Sequence, residues 1–243
     1  MTPLEENLER LEAEIAAACR NAGRARAEVE LMAVSKTHPA ATVAEAAALG
    51  LTFFGENRVQ EFAAKSAELA PLRQRAAEPV RVHLIGHLQS NKALRAVEIF
   101  DGIDSVDSLR LAQRLNEAAG KLGKRLPVLL EVKLSSEETK AGLKPDSDEA
   151  AQLLERLPDL VNLQTRGLMT IAPLGVSEAE TRACFRSLRE WRVRWAAAYP
   201  PLSLDVLSMG MSGDFALAIA EGATRIRLGT ALFGARTAKS EPA

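Results

Sequence analysis

Lys36 closes an apolar run, Leu31-Met32-Ala33-Val34-Ser35, that reads as a β-strand. An amine fixed at the end of a rigid strand and partly shielded from water favours its neutral, nucleophilic form. Such an amine condenses with an aldehyde to an imine, with loss of water. The plain alternative is a lysine whose stem covers apolar surface while its ammonium stays in solvent. A second group of residues suits an anion. In Arg227-Leu228-Gly229-Thr230 the glycine lets backbone approach a ligand, and consecutive N–H groups with the Thr230 hydroxyl match a phosphate; the alternative is a glycine kept for a tight turn. Ser208-Met209-Gly210-Met211-Ser212-Gly213-Asp214 leads into a helical segment, whose first N–H groups and dipole attract anions, and Ser208 can add a hydroxyl. Ser212 and Asp214 also fit as caps. For Asp214 that structural reading is preferred, because a carboxylate beside a dianionic phosphate is unfavourable.

Other chemistries are poorly represented. The three histidines, His38, His83 and His87, lack HxH or HExxH spacing, so no metal site is expected. No GxSxG marks a serine nucleophile, and no carboxylate pair stands out for a hydrolase. Cys19 and Cys184 fall in helical stretches without a CxxC and read as reduced thiols. A net charge of −1 advertises neither nucleic acid nor an anionic membrane as partner. Met1 to Arg10 is rich in glutamate and lacks the apolar run of a signal peptide. No stretch is apolar for the roughly 18 residues that a membrane span needs, and a cytoplasmic location is expected.

The elements that must position these residues follow a rhythm. Strands are predicted near Val29–Ser35, Leu51–Phe54, Val80–Ile85, Gly102–Val106, Pro127–Val132, Leu163–Met169, Leu202–Leu207 and Thr224–Leu228, with helical periodicity between them. Asp107 to Gly120 carries Leu111, Leu115 and Ala119 at helical spacing. Ser177 and Glu180 form a capping box ahead of the stripe Cys184, Leu188, Trp191 and Trp195. Ala216 to Glu221 is a short helix closed by Gly222. Ser135 to Glu149 reads as a long loop with a helix start. Before the first strand, Thr2, Pro3 and Glu5 start a further helix with Leu4, Leu8, Leu11 and Ile15 on one face, and Gly23 ends it.

Strands alternating with helices imply parallel pairing through right-handed crossovers, and repeats of roughly 30 residues match a closed barrel. The expected fold is a single (β/α)8 TIM barrel spanning residues 1–243, with residues 1–23 as an additional N-terminal helix and 237–243 as a tail. A doubly wound open sheet is the alternative, weakened by the lack of GxGxxG after the first strand. Aromatic residues make up only 4%, so the core must be aliphatic. In such a barrel the chemistry lies where strands end. Those ends carry Ser35 to His38, Gly55 to Arg58, Gly86 to Lys92, Asp104 to Asp107, Lys133, Met169-Thr170, Ser208 to Asp214 and Arg227 to Thr230.

Several blocks, in order over nearly the whole chain, resemble one family. They are Ala33-Val34-Ser35-Lys36, Phe54-Gly55-Glu56-Asn57-Arg58-Val59-Gln60-Glu61, His83-Leu84-Ile85-Gly86-His87-Leu88-Gln89-Ser90-Asn91-Lys92, Gly167-Leu168-Met169, Ser208 to Asp214 and Arg225 to Thr230. The chain resembles the pyridoxal phosphate homeostasis proteins, the YggS/PROSC family. Arg58 departs from the aromatic that many relatives carry there. The resemblance implies a fold like the N-terminal barrel domain of alanine racemase, with pyridoxal 5′-phosphate (PLP) as cofactor. It makes Lys36 the Schiff-base lysine. Ser208, Gly229 and Thr230 match the phosphate-binding positions, Arg227 the arginine facing the pyridine nitrogen, and Asn57 a residue near the cofactor.

Whether such a site turns over substrate depends on a second base. The racemases take theirs from a tyrosine on an additional domain. The single tyrosine here, Tyr199, precedes the seventh strand and is expected at the opposite end of the barrel. An arginine at the pyridine nitrogen also weakens the ring as an electron sink. The expected function is therefore a non-catalytic PLP carrier or buffer in intracellular vitamin B6 homeostasis. It would serve PLP-dependent apo-enzymes, with Lys92, Lys133 or Lys140 available to assist handover, and a monomer is expected. The alternatives are a weak amino-acid racemase or lyase using His83 or His87, and a phosphate-binding barrel enzyme without PLP.

Overall fold

The computed structural model describes residues 2–74, 78–135 and 141–234. Eight parallel strands close into a barrel in sequence order. They are β1 (Glu30–Val34), β2 (Phe53–Glu56), β3 (Arg81–Leu84), β4 (Gly102–Val106), β5 (Leu126–Glu131), β6 (Leu163–Met169), β7 (Val206–Ser208) and β8 (Arg225–Leu228). The helices are α1 (Pro3–Asn21), α2 (Ala40–Ala48), α3 (Val59–Arg73), α4 (Ala93–Ile99), α5 (Leu109–Lys121), α6 (Asp148–Arg156), α7 (Glu178–Ala198), α8 (Phe215–Ala220) and α9 (Thr230–Phe233). The (β/α)8 expectation is met, and the open-sheet alternative falls because β1 pairs with β8. No described helix is long and apolar enough to cross a membrane.

Side chains alternate along the strands, apart from irregularities in β4 and β6, and the barrel uses the two faces differently. Leu31 and Ala33, Phe54, Val82 and Leu84, Leu130, Leu168, Leu207, Ile226 and Leu228 feed the large apolar core between strands and helices. The opposite faces of the first three strands contribute Met32, Val34, Phe53 and Ile85, a separate small cluster. The same alternation turns His83, Asp104, Glu131, Ser208, Arg225 and Arg227 away from the large core, and all six are buried. The lumen is therefore largely ionic. Arg225 donates to Asp104 and to Glu30, both at 2.9 Å, and Asp104 meets His83 Nδ1 at 2.8 Å. The Arg225 guanidinium lies 4.6 Å from the Phe53 ring centre.

The capping signals read from the sequence are present. Thr2 with Glu5, and Ser177 with Glu180, form reciprocal capping boxes. Gly23 takes φ +66° just past α1. Leu4, Leu11, Ile15 and Cys19 of α1 are buried, worth about 1.5–3 kcal/mol for each large apolar side chain. The α1 face packs on α8 and α9, and Asn7 donates to the Leu232 carbonyl at 3.1 Å. The additional helix thus holds the segment that begins at Thr230.

Two strands differ from the expectation by more than one residue at an end. β2 runs two residues further, so Glu56 belongs to the strand and shares the outward face of Phe54. β7 begins at Val206 rather than Leu202, because the Pro200-Pro201 pair lacks N–H groups and Leu202 N–H folds back onto the Tyr199 carbonyl at 3.0 Å. The expected tail at 237–243 lies outside the described residues.

Candidate functional site

A cavity of about 490 Å³ opens among the C-terminal strand ends and the loops that follow, within the usual range for a small-molecule site. Lys36, Asn57, Arg227, Gly229 and Thr230 all line it, so five of the six expected site residues meet in one place. The sixth, Ser208, is fully buried beneath the wall.

Lys36 follows β1 and is half-buried. Val34 faces the lumen, and the next inward position is Lys36. The turn that carries it is clamped from behind. Ser35 Oγ donates to Glu56 Oε1 at 2.6 Å, and Lys65 from α3 pairs with that oxygen at 2.7 Å. Lys65 Nζ also donates to the carbonyls of Ser35 at 3.0 Å and His38 at 2.8 Å. Thr37 adopts φ +68°, the left-handed region that costs a non-glycine residue roughly 1–2 kcal/mol, and its N–H is held by Glu61 Oε1. Ser35, Glu56, Glu61 and Lys65 thus fix the backbone on both sides of Lys36.

On the far side of β1, β8 brings Arg227. Its guanidinium donates to the Ser208 carbonyl at 2.7 Å, to Ser208 Oγ at 2.9 Å and to the Thr170 carbonyl at 2.8 Å. Burial lowers its pKa, and the carboxylates of Asp104, Glu131 and Asp214 oppose that. It remains a fixed cation. Next come Gly229, which precedes α9, and Thr230, its first residue. The first N–H groups of a helix have no intrahelical acceptor. The Ala231 N–H is taken by Ser212 Oγ at 3.2 Å, which ties the β7–α8 loop to α9. Asp214 stands at the N-cap of α8, but its side chain does not cap that helix as expected: it accepts instead from the Met211 N–H at 2.6 Å in the preceding loop.

Asn57 leaves β2 beside Gly86, which follows β3. A Cβ on Gly86 would lie 2.3 Å from the Asn57 carbonyl oxygen, so this close approach requires glycine. Ser105 Oγ donates to the Gly86 carbonyl at 2.8 Å and holds the same corner.

Glu131, at the end of β5, was not singled out by the sequence reading. It lines the cavity, is 8% exposed, and its Oε2 has no hydrogen-bond partner among the described residues. Burial, with Asp107 adding to it, raises its pKa to about 7 against the pull of Arg227 and His87. The signal was present in Leu129-Leu130-Glu131-Val132-Lys133: an acid within an apolar strand, two residues before an expected rim lysine.

The other candidates separate clearly. His83 is buried against Asp104 and does not line the cavity, whereas His87 stands at the rim, 3.1 Å from Asp107. Tyr199 ends α7, ahead of β7, and lies off the cavity. Arg58 is exposed at the start of α3. Of the three handover lysines, Lys133 lines the cavity, Lys92 does not, and Lys140 lies outside the described residues. Among the described residues no group of three His, Cys, Asp or Glu could hold a metal ion.

The family model of the alanine racemase N-terminal domain matches residues 7–237. The pyridoxal phosphate homeostasis protein of Pseudomonas aeruginosa is 46% identical over 236 residues, covering 97% of this chain and 97% of that one. The chain belongs to the pyridoxal phosphate homeostasis protein family. Another similar protein, PipY of Synechococcus elongatus, has been solved with PLP bound. It is 46% identical with a TM-score of 0.80, over 95% of this chain and 100% of that one. An alanine racemase of Clostridium difficile superposes with a TM-score of 0.71 at 19% identity, over 97% of this chain and 57% of that one, a likeness of fold alone. For this member of the pyridoxal phosphate homeostasis family, both the family and the barrel agree with the sequence reading.

Proposed function

We propose that this chain binds PLP in the cavity at the strand ends, as a single barrel domain, and serves as a carrier or buffer of the cofactor with no turnover of its own. The observation that carries the reading is the convergence of Lys36, Arg227, Gly229 and Thr230 on one cavity of about 490 Å³. The donor set fits the group: an amine for an aldehyde, amides and a hydroxyl for a phosphate, and a fixed cation for a ring nitrogen.

When bound, PLP supplies a reactive aldehyde and an electron-withdrawing ring. The protein's part is to hold and shield it. Lys36 Nζ would hold the aldehyde carbon covalently, the carbonyl oxygen leaving as water, and the clamp of Lys65, Glu56 and Glu61 keeps that amine in place. Gly229 and Thr230 would donate to the phosphate. Arg227 keeps its own proton and would leave the ring nitrogen without one. Asn57 would border the ring. Ser208 accepts from Arg227 through its carbonyl and Oγ, which orients the guanidinium, and its own O–H would serve the phosphate. Tyr199 lies away from the cavity, which supports a carrier over a racemase. A monomer in the cytoplasm, delivering to apo-enzymes with Lys133 near the exit, completes the proposal.

The test loads the protein with PLP, removes free cofactor by desalting, and mixes it with a PLP-dependent apo-enzyme. Recovery of the apo-enzyme's activity, without racemisation or lysis of added amino acids by the loaded protein alone, is expected. Turnover of amino acids at ordinary enzyme rates, about 1 per second or faster, would overturn the carrier reading.

A further inference from the structure

Glu131 is buried where an acid is expensive. Its strand alternation turns it into the lumen with Leu129 and toward the cavity, and β5 lies opposite β1 in the eight-stranded ring. The side chain is 8% exposed, and no described residue donates to or accepts from Oε2. A buried carboxylate with an unpaired oxygen loses its hydration without replacement, whereas the neutral acid avoids most of that cost and holds a proton to donate. The charges around it are mixed. Asp107, after β4, favours the neutral acid, while Arg227 from β8 and His87 after β3 favour the anion. Arg227 is itself shared with Asp104 of β4 and with Asp214 of the β7–α8 loop, and Lys36 and Lys133 stand on the same cavity wall. Burial prevails, and the acid titrates at about 7.

We propose that Glu131 meets the bound cofactor as a neutral acid and donates its proton in a hydrogen bond to the ring oxygen of pyridoxal phosphate, so that the cofactor is held less tightly where Glu131 ionises. This rests on the cofactor reading above. In that reading Lys36 takes the aldehyde carbon, Gly229 and Thr230 the phosphate, and Arg227 the ring nitrogen. The polar atom left over is the ring oxygen, and two buried donors on the cavity wall are left over, Glu131 and the Ser135 hydroxyl, of which Glu131 is the one fixed on a barrel strand. Once ionised, the side chain loses its donor and places a negative charge beside an anionic ligand, and both changes weaken retention. Release then becomes easier toward the alkaline side of neutrality.

Equilibrium titration of wild type and Glu131→Gln with PLP at pH 6 and pH 8.5 tests this. The glutamine is a donor at both pH values, and the two proteins differ at residue 131 alone, so the ratio of their dissociation constants reads Glu131. We expect that ratio, wild type over variant, to rise about tenfold from pH 6 to pH 8.5, the worth of one hydrogen bond. A second measurement uses wild type alone with 3-deoxypyridoxal phosphate, which lacks the ring oxygen and still carries the aldehyde and phosphate. Its affinity should lack the alkaline loss seen with PLP. A ratio constant within about twofold, or the same alkaline loss with the deoxy ligand, overturns the proposal. Borohydride trapping on the same samples separates the two levels: label on Lys36 with a flat ratio sinks only the role of Glu131, whereas no label on Lys36 sinks the cofactor reading and this inference with it.

Discussion

The ammonium of Lys65 lies 2.7 Å from Glu56 Oε1 and at the same time donates to the carbonyls of Ser35 and His38, the residues that bracket Lys36. Both side chains of this pair are buried. Removing one partner of a buried pair strands the other charge, at a cost of about 3–5 kcal/mol. Lys65→Met should therefore lower stability by that order in urea unfolding, and pairing it with Glu56→Gln should recover part of the loss. The folded fraction of Lys65→Met should also load PLP less readily, because the turn at Thr37 loses its support. Unchanged stability and loading would show that the clamp has no such role.

Thr230 offers a test of the phosphate assignment. Thr230→Val keeps the shape and removes a donor, and a hydrogen bond to a charged group is worth about 1.5–3 kcal/mol. Affinity for PLP should fall at least about tenfold, while affinity for pyridoxal, which has no phosphate, stays the same. An equal loss for both ligands would place the phosphate elsewhere.

The cofactor-free protein should show the cost of Glu131 directly. Its folded pKa of about 7 stands above the ordinary 4.5, so the carboxyl contributes no penalty below pH 4.5, and stability is lost as pH rises from there through 7. A shift of this size corresponds to a cost on the order of 3 kcal/mol. Glu131→Gln should be more stable than wild type at pH 8 by up to that amount and nearly equal to it at pH 4. Urea unfolding at the two pH values checks this, and a difference independent of pH would contradict it.

Asp104 has the opposite sign. Burial works to raise its pKa, but His83 and Arg225 outweigh burial and hold it below the ordinary 3.8. Its stabilising contribution is present above about pH 4 and is lost as pH falls through the lower folded value. Asp104→Asn, which leaves Arg225 with Glu30 as its remaining carboxylate, should cost up to about 3–5 kcal/mol at pH 7 and leave a flatter acid limb in the stability profile. An unchanged acid limb would mean that another carboxylate governs acid unfolding.

The eight strands, the capping boxes at Thr2 and Ser177, and the lysine at the end of β1 were legible because each is a local signal: period-two apolar runs, reciprocal side-chain caps, and a charge closing an apolar strand. What local signals do not carry is which face of a strand a polar residue takes. Glu56 reads as a strand-end site residue, yet strand alternation turns it outward to Lys65. Glu131 reads as part of an apolar strand, yet it faces the cavity. Ser208 reads as a phosphate ligand from its place in the chain, and that its carbonyl and Oγ also accept from Arg227 appears only once β7 and β8 are side by side. Lys65 could not be found from its surroundings in sequence, since its partners on β1 and β2 come together only when the barrel closes.

The most direct test of the central claim is to mix the purified protein with PLP, reduce with borohydride, and map the modified peptide by mass spectrometry. A single phosphopyridoxyl group on Lys36, absent from Lys36→Ala, is the expected result. Label spread evenly over surface lysines, or equal labelling of the Lys36→Ala variant, would contradict a cofactor site built around that residue.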